Sequence, residues 1–124
     1  VNLHVNVWTV TDISEAPFQA QFWFNAKVPG SYATAPATPA NTAICPLPVP
    51  QIEIQLASNT TEKPVGGIEA FAREGQPETT LVETENGKLI FPPGGSFLVY
   101  VSVMETPGIA ASGKVAFGWW EERI

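Results

Sequence analysis

Hydrophobic and polar residues alternate with a period of two along most of this chain. In Asn2–Val7, Leu3, Val5 and Val7 point one way and Asn2, His4 and Asn6 the other, as in a half-buried strand. Continuing that alternation places Trp8 on the polar face. Phe18–Asn25 repeats it, with Phe18, Ala20, Phe22 and Phe24 against Gln19, Gln21, Trp23 and Asn25. Gln51–Leu56 alternates strictly and reads as the clearest strand in the chain, with Ser58-Asn59-Thr60-Thr61 closing it. Ile68–Ala72 reads as a short strand after Gly66-Gly67. Phe97, Val99, Val101 and Val103 oppose Leu98, Tyr100, Ser102 and Met104. A last strand runs from Lys114 to about Glu122, with Val115, Phe117 and Trp119 on one face and Ala116, Gly118 and Trp120 on the other.

Turn chemistry punctuates these runs. Asn86-Gly87 tolerates positive φ at both central positions of a type I′ turn, so 79–85 and 88–91 are expected to form a hairpin, with Glu85 and Lys88 flanking the turn. Pro92-Pro93-Gly94-Gly95, Pro107-Gly108 and Gly113 break the chain further on. Residues 28–50 hold Pro29, Pro36, Pro39, Pro46, Pro48 and Pro50, half of the 12 prolines. Proline cannot donate a ladder hydrogen bond, so a long surface loop of polyproline character is expected at about 28–50. Too few residues precede it for a separate core. The expectation is one domain over 1–124: an all-β antiparallel sandwich of seven or eight strands, either jelly-roll or immunoglobulin-like. The Cys–Trp–Cys arrangement of antibody domains is absent.

Composition narrows the function classes. With 124 residues, one domain buries roughly two-thirds of its unfolded surface. Charged residues make up 15%, and the net charge is −6. The six bases (Lys27, Lys63, Arg73, Lys88, Lys114 and Arg123) are scattered, so the cation cluster that nucleic-acid backbones require is missing. No apolar run reaches the ~20 residues of a membrane span. Cys45 stands alone and is expected to be a small buried hydrophobe. The strand-like start at Val1 suggests a processed product or an excised domain.

Candidate chemistry is sparse. His4 is the single histidine, and Asp12 is its only aspartate partner for a triad with Ser14, Ser31, Ser58, Ser96, Ser102 or Ser112. No Gly-x-Ser-x-Gly elbow surrounds any of these serines. The expected place of His4 is the solvated face of the first strand. Glu121 and Glu122 are adjacent on a strand and point to opposite faces. One Cys, one His and dispersed carboxylates supply no metal-ligand cluster, and no phosphate-cradling glycine motif occurs. The sequence is therefore read as non-enzymatic, without metal or cofactor. Asn59-Thr60-Thr61 is a glycosylation sequon at a loop.

The informative residues are aromatic. Trp8, Trp23 and Tyr100 fall on strand faces that are otherwise polar, and Trp120 joins them on the last strand. Cover by the 28–50 loop accounts for such placement. So does an oligomer interface, or a platform on which sugar rings stack.

Two stretches of the C-terminal third carry a family resemblance. Phe91-Pro92-Pro93-Gly94-Gly95-Ser96-Phe97-Leu98-Val99-Tyr100-Val101 resembles the proline-glycine lead-in to a late capsid strand. Ala111-Ser112-Gly113-Lys114-Val115-Ala116-Phe117-Gly118-Trp119-Trp120-Glu121 resembles a last jelly-roll strand. The chain is thus similar to capsid domains of small non-enveloped RNA viruses, and to the protruding domains of nodavirus-like and tombusvirus-like capsids in particular. The resemblance covers about a third of the chain, with no residue-exact motif. It implies a structural protein of the virion surface that self-associates as dimer or trimer, packs on other capsid domains and attaches to a host receptor or glycan. The alternative expectation is a secreted carbohydrate-binding module or adhesin-like sandwich.

Overall fold

The computed structural model describes residues 1–57, 63–103 and 111–124. The sequon at Asn59, Met104 and the Pro107-Gly108 break lie outside them. All regular structure among the described residues is strand: β1 (Asn2–Asp12), β2 (Phe18–Phe24), β3 (Ala33–Ala35), β4 (Ile54–Leu56), β5 (Ile68–Gly75), β6 (Thr80–Phe91), β7 (Phe97–Val103) and β8 (Gly113–Glu122). Two three-stranded antiparallel sheets, β6-β1-β8 (sheet A) and β5-β2-β7 (sheet B), pack face to face, and β3 pairs with β4 in a small third sheet. The expected all-β antiparallel sandwich is what forms.

The core sits between the two central strands. Trp8 and Val10 of β1 meet Phe18, Ala20 and Phe22 of β2, and all five are fully buried. Phe22 is the hub. Its ring centroid lies 4.3 Å from Trp8, 4.5 Å from Phe71 and 5.7 Å from Phe97. The aromatic contacts continue through Phe91 and Phe97 to Phe117. Offset and edge-on aromatic pairs of this kind contribute about 0.5–1.5 kcal/mol each beyond the area they bury.

Sheet A departs from the even alternation of its sequence. The registers of β1 with both neighbours shift between Val5 and Val7: against β8 the extra residue is Asn6 of β1, facing solvent, and against β6 the extra residues belong to β6. A bulge of one residue reverses the phase of everything after it. Val5 points inward, and so do Trp8, Val10 and Asp12, while Val7, Thr9 and Thr11 point out. The expected polar-face position of Trp8 is therefore wrong: it is only 1% exposed.

The expected hairpin at Asn86-Gly87 is also absent. Both residues do take positive φ, 52° and 73°. Yet β6 continues in one direction from Thr80 to Phe91 along β1, with Val7 opposite Thr84 and Val5 opposite Leu89. Two steps of β1 thus span five steps of β6, and the left-handed pair forms an outpouching instead of a reversal. The physical reason is the length of β1, which offers ladder partners on both sides of the Asn-Gly pair.

Two further expectations are corrected. Strict alternation in Gln51–Leu56 yields a strand of only three residues, Ile54–Leu56, because its one partner among the described residues, β3, is three residues long. Cys45 is exposed, not buried, since it lies on the proline-rich excursion away from the core. Most residues of 28–50 are exposed, and the stretch contains the β3 strand.

Candidate interaction surface

The four aromatic candidates do not form one site. Trp8 is in the core, where its indole Nε1–H donates to Glu85 Oε1 at 3.1 Å. Trp23 and Tyr100 lie on the outer face of sheet B. Trp23 stands opposite Leu98, and Gln21 opposite Tyr100, so the two aromatics are diagonal neighbours. Both are half-buried. Trp23 Nε1 and Gln21 Oε1 are enclosed, with no hydrogen-bond partner among the described residues. Trp120 belongs to the opposite side of the molecule, the outer face of sheet A.

That outer face is built by the register. β8 has no irregularity of its own, so its even-numbered residues Lys114, Ala116, Gly118, Trp120 and Glu122 all face out. They lie beside Thr11, Thr9, Val7, His4 and Asn2 of β1, and beyond these come Thr80, Val82, Thr84 and Ile90 of β6. The middle of the face is uncharged. Val82, Ile90 and Trp120 remain 63%, 54% and 46% exposed. The charges of β8 sit at its two ends, Lys114 and Glu122.

Around Trp120 the face is structured. His4 stacks on the indole at 5.3 Å with the rings 14° apart. Its Nε2 lies 3.2 Å from Glu122 Oε1, and its Nδ1 lies 3.4 Å from the Gly87 carbonyl. Asn2 Nδ2 donates to the same Glu122 oxygen at 2.9 Å. The Asn2 amide first, and His4 second, hold the Glu122 carboxyl below its ordinary value of 4.5. His4 is on the outer face, but its side chain is only 13% exposed because Trp120 and Glu122 cover it, which corrects the expected solvated position. The β6 outpouching contributes here too. Gly87 is buried under Trp120, and a Cβ at that position would run into the indole.

The two edges of the sandwich differ. At the β5/β6 edge, Arg73 reaches Glu83 at 3.4 Å and lies 4.9 Å from the Phe71 ring centroid, so an ion pair and a cation–π contact close the mouth. At the β7/β8 edge the inward residues Phe97, Val99, Phe117 and Trp119 are only half-buried. Residues 51–57 cross this mouth, anchored by the Gln51 N–H donating to Glu121 Oε1 at 2.6 Å, and line one side of an open cavity of ≈ 810 Å³. Glu121 also accepts from Trp119 Nε1 at 3.2 Å. Glu121 and Glu122 serve opposite faces, as their adjacency in a strand requires.

His4 and Asp12 lie at opposite ends of β1, about 25 Å apart along a strand that rises ~3.3 Å per residue, so they do not meet. Asp12 is buried and accepts from the Ser14 amide and hydroxyl at 2.8 and 2.6 Å, which fixes the β1–β2 connection. Among the described residues no three His, Cys, Asp or Glu side chains gather where they could hold a metal ion. Among the same residues no helix is long and apolar enough to cross a membrane.

The family comparison places the whole chain. Residues 1–124 match the model of a family described as "Family of unknown function (DUF6143)". The chain belongs to this DUF6143 family. No curated protein and no solved structure matches it. For a DUF6143 chain the functional reading therefore rests on the two faces and the edges just described. The decisive sheet A features were hidden from the sequence by the Asn6 bulge. Only the pairing of His4 with Trp120, on the uninterrupted part of the alternation, was open to be found.

Proposed function

We propose that this domain is a self-associating structural module of the kind seen in capsid protruding domains, displayed on a surface and acting through contact rather than catalysis. The carrying observation is the outer face of sheet A: uncharged in its middle, with Val82, Ile90 and Trp120 about half or more exposed. A face poor in charge and rich in β-branched and aromatic residues has the composition of an interface core. The acidic balance of the chain and the C-terminal resemblance support the virion-surface setting. Sedimentation velocity from micromolar to millimolar concentration tests the reading. It predicts a reversible rise in mass that Val82→Lys or Ile90→Lys weakens. A chain that stays monomeric throughout refutes it.

A specific observation also favours a glycan-binding reading for sheet B. Trp23 Nε1 is a donor and Gln21 Oε1 an acceptor, both enclosed beside Tyr100 without partners among the described residues. An orphaned polar atom of this type costs about 1–3 kcal/mol, which sugar hydroxyls would relieve once the side chains turn outward. A glycan array run with the native chain and Trp23→Ala decides it. Binding lost in the variant supports the platform, and silence from the native chain removes it.

A further inference from the structure

Strand β8 is an edge strand, ten residues long, paired with β1 on one side only. Among the described residues no backbone hydrogen bond satisfies its other side. A long edge with free N–H and C=O groups is a template for another strand unless it is guarded by charge, proline or a bulge. β8 has no proline and no bulge, and its charges stand only at its ends: Lys114 at the start, Glu121 and Glu122 at the finish. Residues 51–57 run past this edge, the Gln51 N–H bonding the Glu121 side chain, without pairing to the β8 backbone among the described residues, whereas the β5/β6 side is closed by the Arg73–Glu83 ion pair.

The order of residues along β8 selects the partner. In an antiparallel pair, directly opposed residues share a face. If β8 pairs with a copy of itself about a two-fold axis at Gly118, Lys114 of each chain falls opposite Glu122 of the other on the outer face. Trp120 then falls opposite Ala116, a large residue beside a small one. On the inner face Phe117 falls opposite Trp119. Two glycines meet at the axis, where no side chain stands between the strands. A register shifted by two residues keeps the faces but puts Lys114 against Trp120 and loses both charge pairs.

We infer that β8 gives the self-association proposed above a second contact, pairing antiparallel with β8 of another copy to join two A sheets into one six-stranded sheet. The inference rests on that reading and adds an edge contact to its face contact: Val82 and Ile90 lie on β6, at the opposite edge of sheet A, and stay outside the β8 seam. The joined sheet carries both Trp120–His4 stacks on one continuous face, with each Glu122 held by Asn2 and His4 of its own chain and by Lys114 of the other.

Charge reversal and mixing test it, read by sedimentation equilibrium. Lys114→Glu and Glu122→Lys each turn two attractive cross-strand pairs into repulsive ones. From the ordinary size of such pairs, self-association weakens about 30-fold in each variant. An equimolar mixture of the two variants again opposes unlike charges at both positions. It forms a heterodimer of near-native affinity, and the chain carrying both substitutions forms a homodimer of near-native affinity. This rescue separates lost pairing from misfolding, because a misfolded variant is not restored by a second one. A native dimer that neither reversal weakens overturns the β8 pairing and leaves the broader reading standing on the sheet face. A native chain that never dimerises overturns both.

Discussion

Trp8 and Trp120 are two tryptophans on neighbouring strands of one sheet, and truncating each to alanine separates what the bulge at Asn6 does. Trp8 is 1% exposed, packs at 4.3 Å on Phe22 and donates to Glu85. Trp8→Ala removes that packing, leaves a cavity at the centre of the core and strands the Glu85 carboxylate. Truncations of this type cost about 3–5 kcal/mol, a large part of the ~5–15 kcal/mol that holds an ordinary domain folded. In a chain of 124 residues that corresponds to a fall in Tm of roughly 10–20 °C. Trp120 is 46% exposed and stacks on one side against His4, so Trp120→Ala costs only about 1 kcal/mol. Denaturant unfolding followed by circular dichroism measures both. Equal losses, or a milder loss for Trp8→Ala, would refute the inward turn of Trp8 and with it the register of sheet A.

Two smaller predictions follow from the same corner. Gly87 and Gly94 both have positive φ, 73° and 84°, but only at Gly87 would a Cβ meet another group, the Trp120 indole. Each substitution to alanine costs about 1 kcal/mol for the left-handed backbone. Gly87→Ala is expected to cost roughly 1 kcal/mol more by displacing Trp120 from His4, and equal unfolding midpoints would contradict this. The second concerns Glu122, whose pKa in the folded chain lies below 4.5 because Asn2 and His4 bond its carboxylate. A depressed carboxylate contributes stability above its unfolded value and loses it as pH falls through the folded value, so the effect is confined to acid pH. Carboxyl NMR titration is expected to show the low value, and Asn2→Ala to raise it.

The parts of the fold legible in the sequence are those where alternation runs unbroken. β2 and β7 present Phe18, Ala20 and Phe22, and Phe97, Val99 and Val101, to the core as their patterns imply, and β8 alternates without a break. The errors have one kind of cause, a local pattern overruled by a distant partner. Nothing in Asn6 itself announces a bulge; only the simultaneous register of β1 against β6 and β8 does. Asn86-Gly87 has the backbone geometry of a hairpin turn, but β1 supplies pairing on both sides of it. Gln51–Leu56 alternates like a half-buried strand, yet the strand that pairs with it is three residues long. Of the surface candidates, Trp120 was legible because its stretch of β8 is regular. Trp8 was misplaced because one extra residue precedes it.

Amide hydrogen exchange of β8 at low and high protein concentration tests the central claim of assembly most directly. The alternate amides of Gly113–Glu122 that point away from β1 are the ones that become paired in the joined sheet. Their exchange is expected to slow as concentration rises, while the amides on the outer side of β5 stay unchanged. Edge amides of β8 that exchange equally fast at both concentrations would contradict the account.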